Sequence, residues 1–159
     1  TFIIPEVQIR KESAKIMGLD DTDKKMSKSA ENPYNYLALT DEPSLIKEKI
    51  KRAVTDSGKE IIYDSKDKKG IANLLTIYSL LSEKPIKQLE KEYFCKSYVE
   101  FKNDLAEVAI DFLSPFQKKF KELKKDQNYV KKVLKEGAEK AGNIARLTMG
   151  EVKRKIGLI

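Results

Sequence analysis

The spacing of apolar residues in the second half of the chain constrains the fold more than any other feature. From Tyr98 onward, Phe101, Leu105, Val108, Ala109 and Phe112 recur every three or four residues, and Phe116 and Phe120 carry the pattern past Pro115. That is the period of a helix with one apolar face, not of a strand. A second stripe, from Val130 and Val133 through Leu134, Ala138, Ala141, Ile144, Ala145 and Met149 to Val152, predicts another helix over about Asn128 to Ile156. Gly137 and Gly142 weaken that helix without forbidding it. Pro115 has no N–H to donate and crowds the preceding turn, so a bend or break is expected there. The stripe Phe101, Phe112, Phe116 and Phe120 is read as core packing in preference to a platform for stacking bases.

Shorter helices are predicted upstream. Asp41 is placed to cap a helix with Pro43 in its first turn, with Ile46, Ile50, Ala53 and Val54 on one face and a stop near Asp56-Ser57-Gly58. Gly70 ends a polar loop, and Ile71, Leu74, Leu75, Tyr78 and Leu81 then define a strongly apolar helix. Pro85 starts another, with Ile86, Leu89, Tyr93 and Phe94 turned inward. Before Asp41 the helical period is absent. Residues 1–10 read as extended or irregular around Pro5. Ile16-Met17 and Tyr36-Leu37-Ala38-Leu39 read as short buried strands, or as apolar patches that anchor a loop, and Glu60 to Asp64 as one further short strand. The architecture expected is mainly α. A small α/β edge of a Rossmann-like nucleotide-binding domain over residues 1–40 leads into an α-helical bundle over residues 41–159.

Composition narrows the chemistry. Among 159 residues there is no histidine, which removes the commonest general base, the Ser-His and Cys-His nucleophile systems and imidazole metal sites. The one cysteine, Cys95, cannot form an internal disulfide and is read as a core or half-buried thiol. Any catalysis by these residues is therefore expected to be electrostatic. A formal net charge of +7 favours an anionic partner, and no apolar run is long enough to span a bilayer, so a cytoplasmic protein with no membrane partner is expected. Opening at Thr1 and entering Phe2-Ile3-Ile4 at once, the chain reads as a C-terminal fragment, with Ile156-Gly157-Leu158-Ile159 as its natural end.

The stretch that most looks like chemistry is Lys25-Met26-Ser27-Lys28-Ser29. Two ammonium groups three residues apart on a short polar loop, expected to be exposed and movable, can reach phosphate oxygens and follow them as charge develops. Gly18 ends the apolar run before it, Asp20-Asp21-Thr22-Asp23 is turn chemistry, and Asn32-Pro33 closes the segment.

This pentapeptide is similar to the KMSKS signature loop of class I aminoacyl-tRNA synthetases. Ala14 to Leu19 before it, Ile50 to Ser57 after it, Gly70 to Ser79 and Glu136 to Ala141 together resemble the bacterial and organellar tryptophanyl-tRNA synthetases, over essentially the whole chain. Tyrosyl-tRNA synthetases share the loop in some branches, and a non-catalytic paralogue that uses its helices as an RNA-binding or regulatory module is an alternative of another class. The sequence departs from the family at Ala30-Glu31-Asn32, where Asp-Pro-Asn is frequent, and at Thr22, where proline is usual.

The resemblance implies a tryptophan–tRNA ligase, which forms tryptophanyl-adenylate and pyrophosphate from ATP and transfers tryptophan to tRNA(Trp). Lys25, Lys28 and Ser27 would be its catalytic residues here. Ile16, Lys25, Met26, Ser27, Lys28 and Ser29 would bind ATP, with the Ile16 backbone and Met26 beside the adenosine. Magnesium would be held by the ATP phosphates, with no metal-binding residues of the chain's own. Residues 41–159 would correspond to the anticodon-recognition region, with Lys118, Lys121, Lys125 and Lys131 as tRNA phosphate contacts. The family's other ATP motif and its tryptophan pocket lie before Thr1, so these residues are expected to be inactive alone and the full-length enzyme to be a homodimer.

Overall fold

A computed structural model describes residues 2–9 and 14–159; Thr1 and Arg10, the two ends of the segment read as extended or irregular, lie outside the described residues. Among the described residues there are five α-helices, α1 (Pro43–Arg52), α2 (Lys69–Ser82), α3 (Ile86–Glu92), α4 (Tyr98–Lys125) and α5 (Gln127–Lys155), with one turn of 3-10 helix at Pro33–Asn35 and no strand. The mainly α expectation holds. The three strands do not form: Met17 makes one isolated antiparallel bridge to Lys25, and residues 36–39 and 60–64 pair with nothing as strands. The apolar side chains that suggested strands are buried all the same, because Ile16 and Leu37 pack against a helical core and Ile61 lies within it.

By packing, the chain forms two compact units, one of Ile9–Gln117 and one of residues up to Gln8 together with Lys118–Ile159. The first contains the core. Ile46 and Ile50 of α1, Ile71, Leu74 and Leu75 of α2, Leu89 of α3, and Phe101 and Leu105 of α4 are all essentially inaccessible. Their spacing is the predicted one: Phe101, Leu105, Ala106, Ala109 and Leu113 form one face of α4. Burying each such side chain contributes about 1.5–3 kcal/mol, so this cluster dominates the unit's stability. Rings reinforce it. Tyr93 meets Phe101 edge-on at 5.0 Å, and Tyr78 lies 5.6 Å from Phe101. The Tyr93 hydroxyl donates to Asp104 at 2.8 Å and therefore accepts from Tyr78 at 2.9 Å. Burial and these two bonds hold the Tyr93 phenol well above its ordinary pKa.

Several local expectations are corrected. Asp41 does not cap α1; Glu42 occupies that position, with no side-chain cap bond, while the Asp41 carboxylate accepts from Ala38 N–H at 2.9 Å and from the buried Lys49 ammonium at 2.6 Å. The Lys49 ammonium also lies 4.7 Å above the Tyr36 ring, so this buried charge is paired and stacked, as an ion deprived of water must be. α1 stops at Arg52, before the predicted Asp56, and Lys102 of α4 satisfies carbonyls at that end by donating to those of Lys51 and Ala53 at 3.3 and 2.7 Å. Burial there pushes the Lys102 pKa down. Phe94 is exposed, not inward, and so are Phe112, Phe116 and Phe120: of the aromatic stripe only Phe101 belongs to the core. Cys95 is exposed too, in the left-handed region at φ +62° in the turn after α3. α4 runs unbroken through Pro115, so the chain does not break there.

In the second unit α5 fits the predicted span. Asp126 caps it by accepting from Tyr129 N–H at 2.9 Å. At the other end Gly157, at φ +75°, lets Leu158 N–H reach the Lys153 carbonyl and Gly157 N–H the Arg154 carbonyl, which closes the helix in a Schellman motif. No residue of α5 is buried.

Candidate phosphate-binding loop

The signature stretch hangs from a two-limbed ribbon. Gly18 N–H donates to the Lys24 carbonyl at 2.8 Å and Met26 N–H to the Ile16 carbonyl at 3.0 Å, so residues 16–18 and 24–26 run antiparallel for one bridge only. The connection between them is a polar turn whose aspartates are all engaged. Asp21 accepts from Asp23 N–H at 3.0 Å and pairs with Lys24 at 3.1 Å; the first of these, then the second, lowers its pKa. Asp23 pairs with Lys69 of α2 at 2.6 Å.

Beyond Met26 the chain is pinned again. Ser27 N–H donates to the Asn35 side-chain carbonyl at 3.0 Å. Asn35 is only 5% exposed; its amide NH₂ donates to one oxygen of Asp20, whose other oxygen accepts from Asn32, and its backbone carbonyl accepts from Leu19 N–H at 2.9 Å. The Leu19 carbonyl takes Val54 N–H at 2.7 Å, which ties the ribbon to the end of α1. Gly18 is required by close approach: a Cβ there would run into the Asn35 amide and lie 2.9 Å from the Asp21 carbonyl. On the other side of the ribbon, Asn73 of α2 accepts from Met17 N–H and donates to the Met17 carbonyl, both at 2.9 Å.

Between these anchors the loop turns on itself. Ala30 N–H donates to the Ser27 carbonyl at 3.1 Å, the Ser27 and Ser29 hydroxyls lie 2.9 Å apart, and Ser29 N–H reaches Ser27 Oγ at 3.3 Å. This spends the two hydroxyls partly on holding the turn. Lys28 is therefore at an exposed tip, and Lys25 is exposed one residue before the apolar anchor Met26. Among the described residues neither ammonium group has an ion-pair or hydrogen-bond partner. Met26 and Ile16 are half-buried against the core. The result is a fixed backbone that presents two uncommitted cations.

Of the residues picked from sequence, Ile16 and Lys25 to Ser29 thus come together in one ribbon-and-loop. Lys118, Lys121 and Lys125, on the last turns of α4, and Lys131, on α5, are all exposed and belong to the second unit. Sequence reasoning missed the loop's supports, Asn35, Asn73 and Asp20. For Asn73 a signal existed: an amide inside the apolar run Ile71–Ile77 must find a partner when buried. For Asn35, one polar residue in a polar loop, there was none.

A helical core carrying a pinned, lysine-bearing ribbon defines a class. The family model for class I tRNA synthetases (W and Y) matches residues 1–114, and the chain belongs to that family. Its relatives are specific. The chain is 44% identical over 159 residues to the tryptophan–tRNA ligase of Clostridium tetani and 45% identical over 157 residues to that of Bacillus subtilis, covering 100% and 99% of itself but 47% of each of those proteins. It spans about half the length of the curated relatives it matches. The crystal structure of tryptophanyl-tRNA synthetase from Mycoplasma pneumoniae superposes with a TM-score of 0.83 at 33% identity, over 94% of this chain and 45% of that one. The Campylobacter jejuni tryptophanyl-tRNA synthetase complexed with ADP and tryptophane gives 0.68 at 30% identity, over 96% of this chain and 46% of that one.

Proposed function

We propose that the chain is the part of a tryptophan–tRNA ligase that carries the signature loop and the tRNA-binding helices, residues 1–40 being the edge of the catalytic domain and 41–159 the anticodon-recognition domain. The observation that carries the reading is the loop itself, two exposed and unpartnered ammonium groups on a backbone fixed from both sides, in a chain some 44% identical along its whole length to tryptophan–tRNA ligases. In the full-length enzyme the carboxylate of tryptophan attacks the α-phosphate of ATP and pyrophosphate leaves. Lys25 and Lys28 bind the departing β- and γ-phosphates, and their charge counts for most where negative charge accumulates in the transition state. Ser27 and Ser29 direct hydroxyls at phosphate oxygens or hold the turn, Met26 flanks the adenosine, and the Ile16 backbone helps to read adenine.

The donor set fits this ligand. The two lysine ammonium groups bind phosphate oxygens and cannot ligate a cation, so magnesium, which would neutralise phosphate charge, would be carried by the nucleotide. The exposed Lys118, Lys121, Lys125 and Lys131 lie on helical surface where tRNA phosphates would be met, and the +7 net charge suits that partner. tRNA(Trp), a cytoplasmic location and a homodimer of the full-length enzyme complete the reading; among the described residues no helix is long and apolar enough to cross a membrane.

The test is Lys28→Ala in the full-length protein, with pre-steady-state formation of tryptophanyl-adenylate at saturating ATP. A fall of about 10²–10³ in rate is expected, the usual cost of removing one donor aimed at developing charge. A normal rate with only a raised ATP dissociation constant would sink the transition-state role.

A further inference from the structure

Asn73 is 7% exposed in the middle of α2, flanked by residues that are buried from Gly70 to Tyr78. Its carboxamide meets both backbone groups of Met17, fifty-six residues away in the chain, at 2.9 Å each. A carboxamide is the side-chain equivalent of a peptide group, one acceptor and one donor side by side, and here it does for the ribbon what a neighbouring strand would do. The ribbon's two internal bonds use Ile16, Gly18, Lys24 and Met26, while the groups of Met17 between them point the other way. Without Asn73 that edge is open, and one isolated bridge is too little pairing to fix a register.

The chain of bonds from the core to the lysines is short. Asn73 holds Met17, the residues either side of Met17 hold Lys24 and Met26, and Lys25 to Ser29 follow at once. The other direct tie from α2, Lys69 to Asp23, joins two side chains that are each at least half exposed, and such pairs contribute little and are screened by salt. A buried, doubly satisfied amide is the stronger constraint.

We propose that Asn73 is a positioning residue for the signature loop: by clamping Met17 to α2 it sets where Lys25 and Lys28 stand relative to the rigid core. It touches no substrate. This inference rests on the function proposed above in so far as it concerns catalysis, but its structural half does not. Misplacing a reacting or stabilising group by about 1 Å can cost about a hundredfold in rate, so loss of the clamp should slow the chemical step and leave ATP affinity much less changed.

The test uses the full-length synthetase with Asn73→Leu, which keeps the side chain's size on an apolar helix and removes both bonds. Three things are measured: adenylate formation at saturating ATP, the ATP dissociation constant, and hydrogen exchange of the Met17 amide against the amides of residues 74–78. The expected result is a rate lower by about tenfold to a hundredfold, an ATP dissociation constant within about threefold of the parent, and loss of Met17 protection with the α2 amides still protected. A rate within about twofold of the parent, or a Met17 amide as protected as before, overturns the proposal. Should Asn73→Leu fail to melt cooperatively, Asn73→Asp, which keeps the acceptor for Met17 N–H but replaces the donor with a second acceptor facing the Met17 carbonyl, carries the same readouts. If the parent protein forms no tryptophanyl-adenylate, the proposed function falls by itself, while Met17 exchange still decides whether the clamp exists.

Discussion

α2 and α5 both carry apolar residues at helical spacing, yet nine of the 14 residues of α2 are buried and none of the 29 of α5. α5 has what a helix can carry within itself: an Asp126 cap, a Schellman close at Gly157, and Lys153, Arg154 and Lys155 against its C-terminal dipole. α2 has almost none of this. Its N-cap Lys68 makes no side-chain cap bond, and its C-cap Glu83 sits at φ +59°. Its order comes from tertiary burial. The difference teaches why the candidate site is built on α2. A loop that must present charges at fixed positions needs a support that cannot fray, and self-contained helical signals do not supply one.

Leu75→Ala and Leu147→Ala give the widest separation between the two regions. Leu75 is fully buried and Leu147 is 75% exposed, so urea unfolding should report a loss of about 2–5 kcal/mol for the first and within about 0.5 kcal/mol for the second. Equal losses would end the contrast.

Glycine gives a difference of sign. A Cβ on Gly70 would lie 2.6 Å from the Val54 carbonyl oxygen and 2.7 Å from Thr55 Cα, both backbone, whereas one on Gly137 meets nothing within 4 Å. Gly70→Ala should therefore destabilise by about 1–3 kcal/mol through overpacking. Gly137→Ala should stabilise α5 by about 0.5–1 kcal/mol through lower unfolded-state entropy. Thermal melts of the two variants check both signs.

Asp126→Ala removes a local signal where local signals prevail. It should cost about 1 kcal/mol of helix stability, seen as faster amide exchange over the first turn of α5 with no change in α2.

The smallest effect is acid-dependent and concerns the turn that delivers α2. Asp64 accepts from Lys66 N–H at 2.8 Å and Asp67 N–H at 3.1 Å, and those bonds lower its pKa. A carboxyl depressed in the folded state stabilises above its unfolded pKa of about 4 and loses that contribution as pH falls through the lowered value. The urea midpoints of the parent and Asp64→Asn should therefore differ at neutral pH and converge in acid; a gap that persists below both pKa values would refute the linkage.

Much of the chemistry was legible in the residues. Lys25-Met26-Ser27-Lys28-Ser29 between turn-forming flanks marks a loop with two cations whatever surrounds it, and the periods from Asp41 onward mark helices, because backbone propensity, capping and apolar spacing are local. The span of α5 was legible in this way, although its Asp126 cap and Gly157 close went unread. What a local pattern cannot carry is the identity of the partner. Phe101 and Phe112 lie on the same predicted stripe, and only the arrival of Tyr78 and Tyr93 buries one and leaves the other in solvent. Ile16-Met17 has the apolar character of a strand, but its backbone is satisfied by its own loop on one side and by the side chain of Asn73 on the other. Sequence thus determined which charged groups the loop carries. Tertiary structure alone decided where they stand, since the bonds that hold the ribbon join residues 16–19 to Asn35, Val54 and Asn73, and chain distance gives no sign of such pairings until the core brings them together.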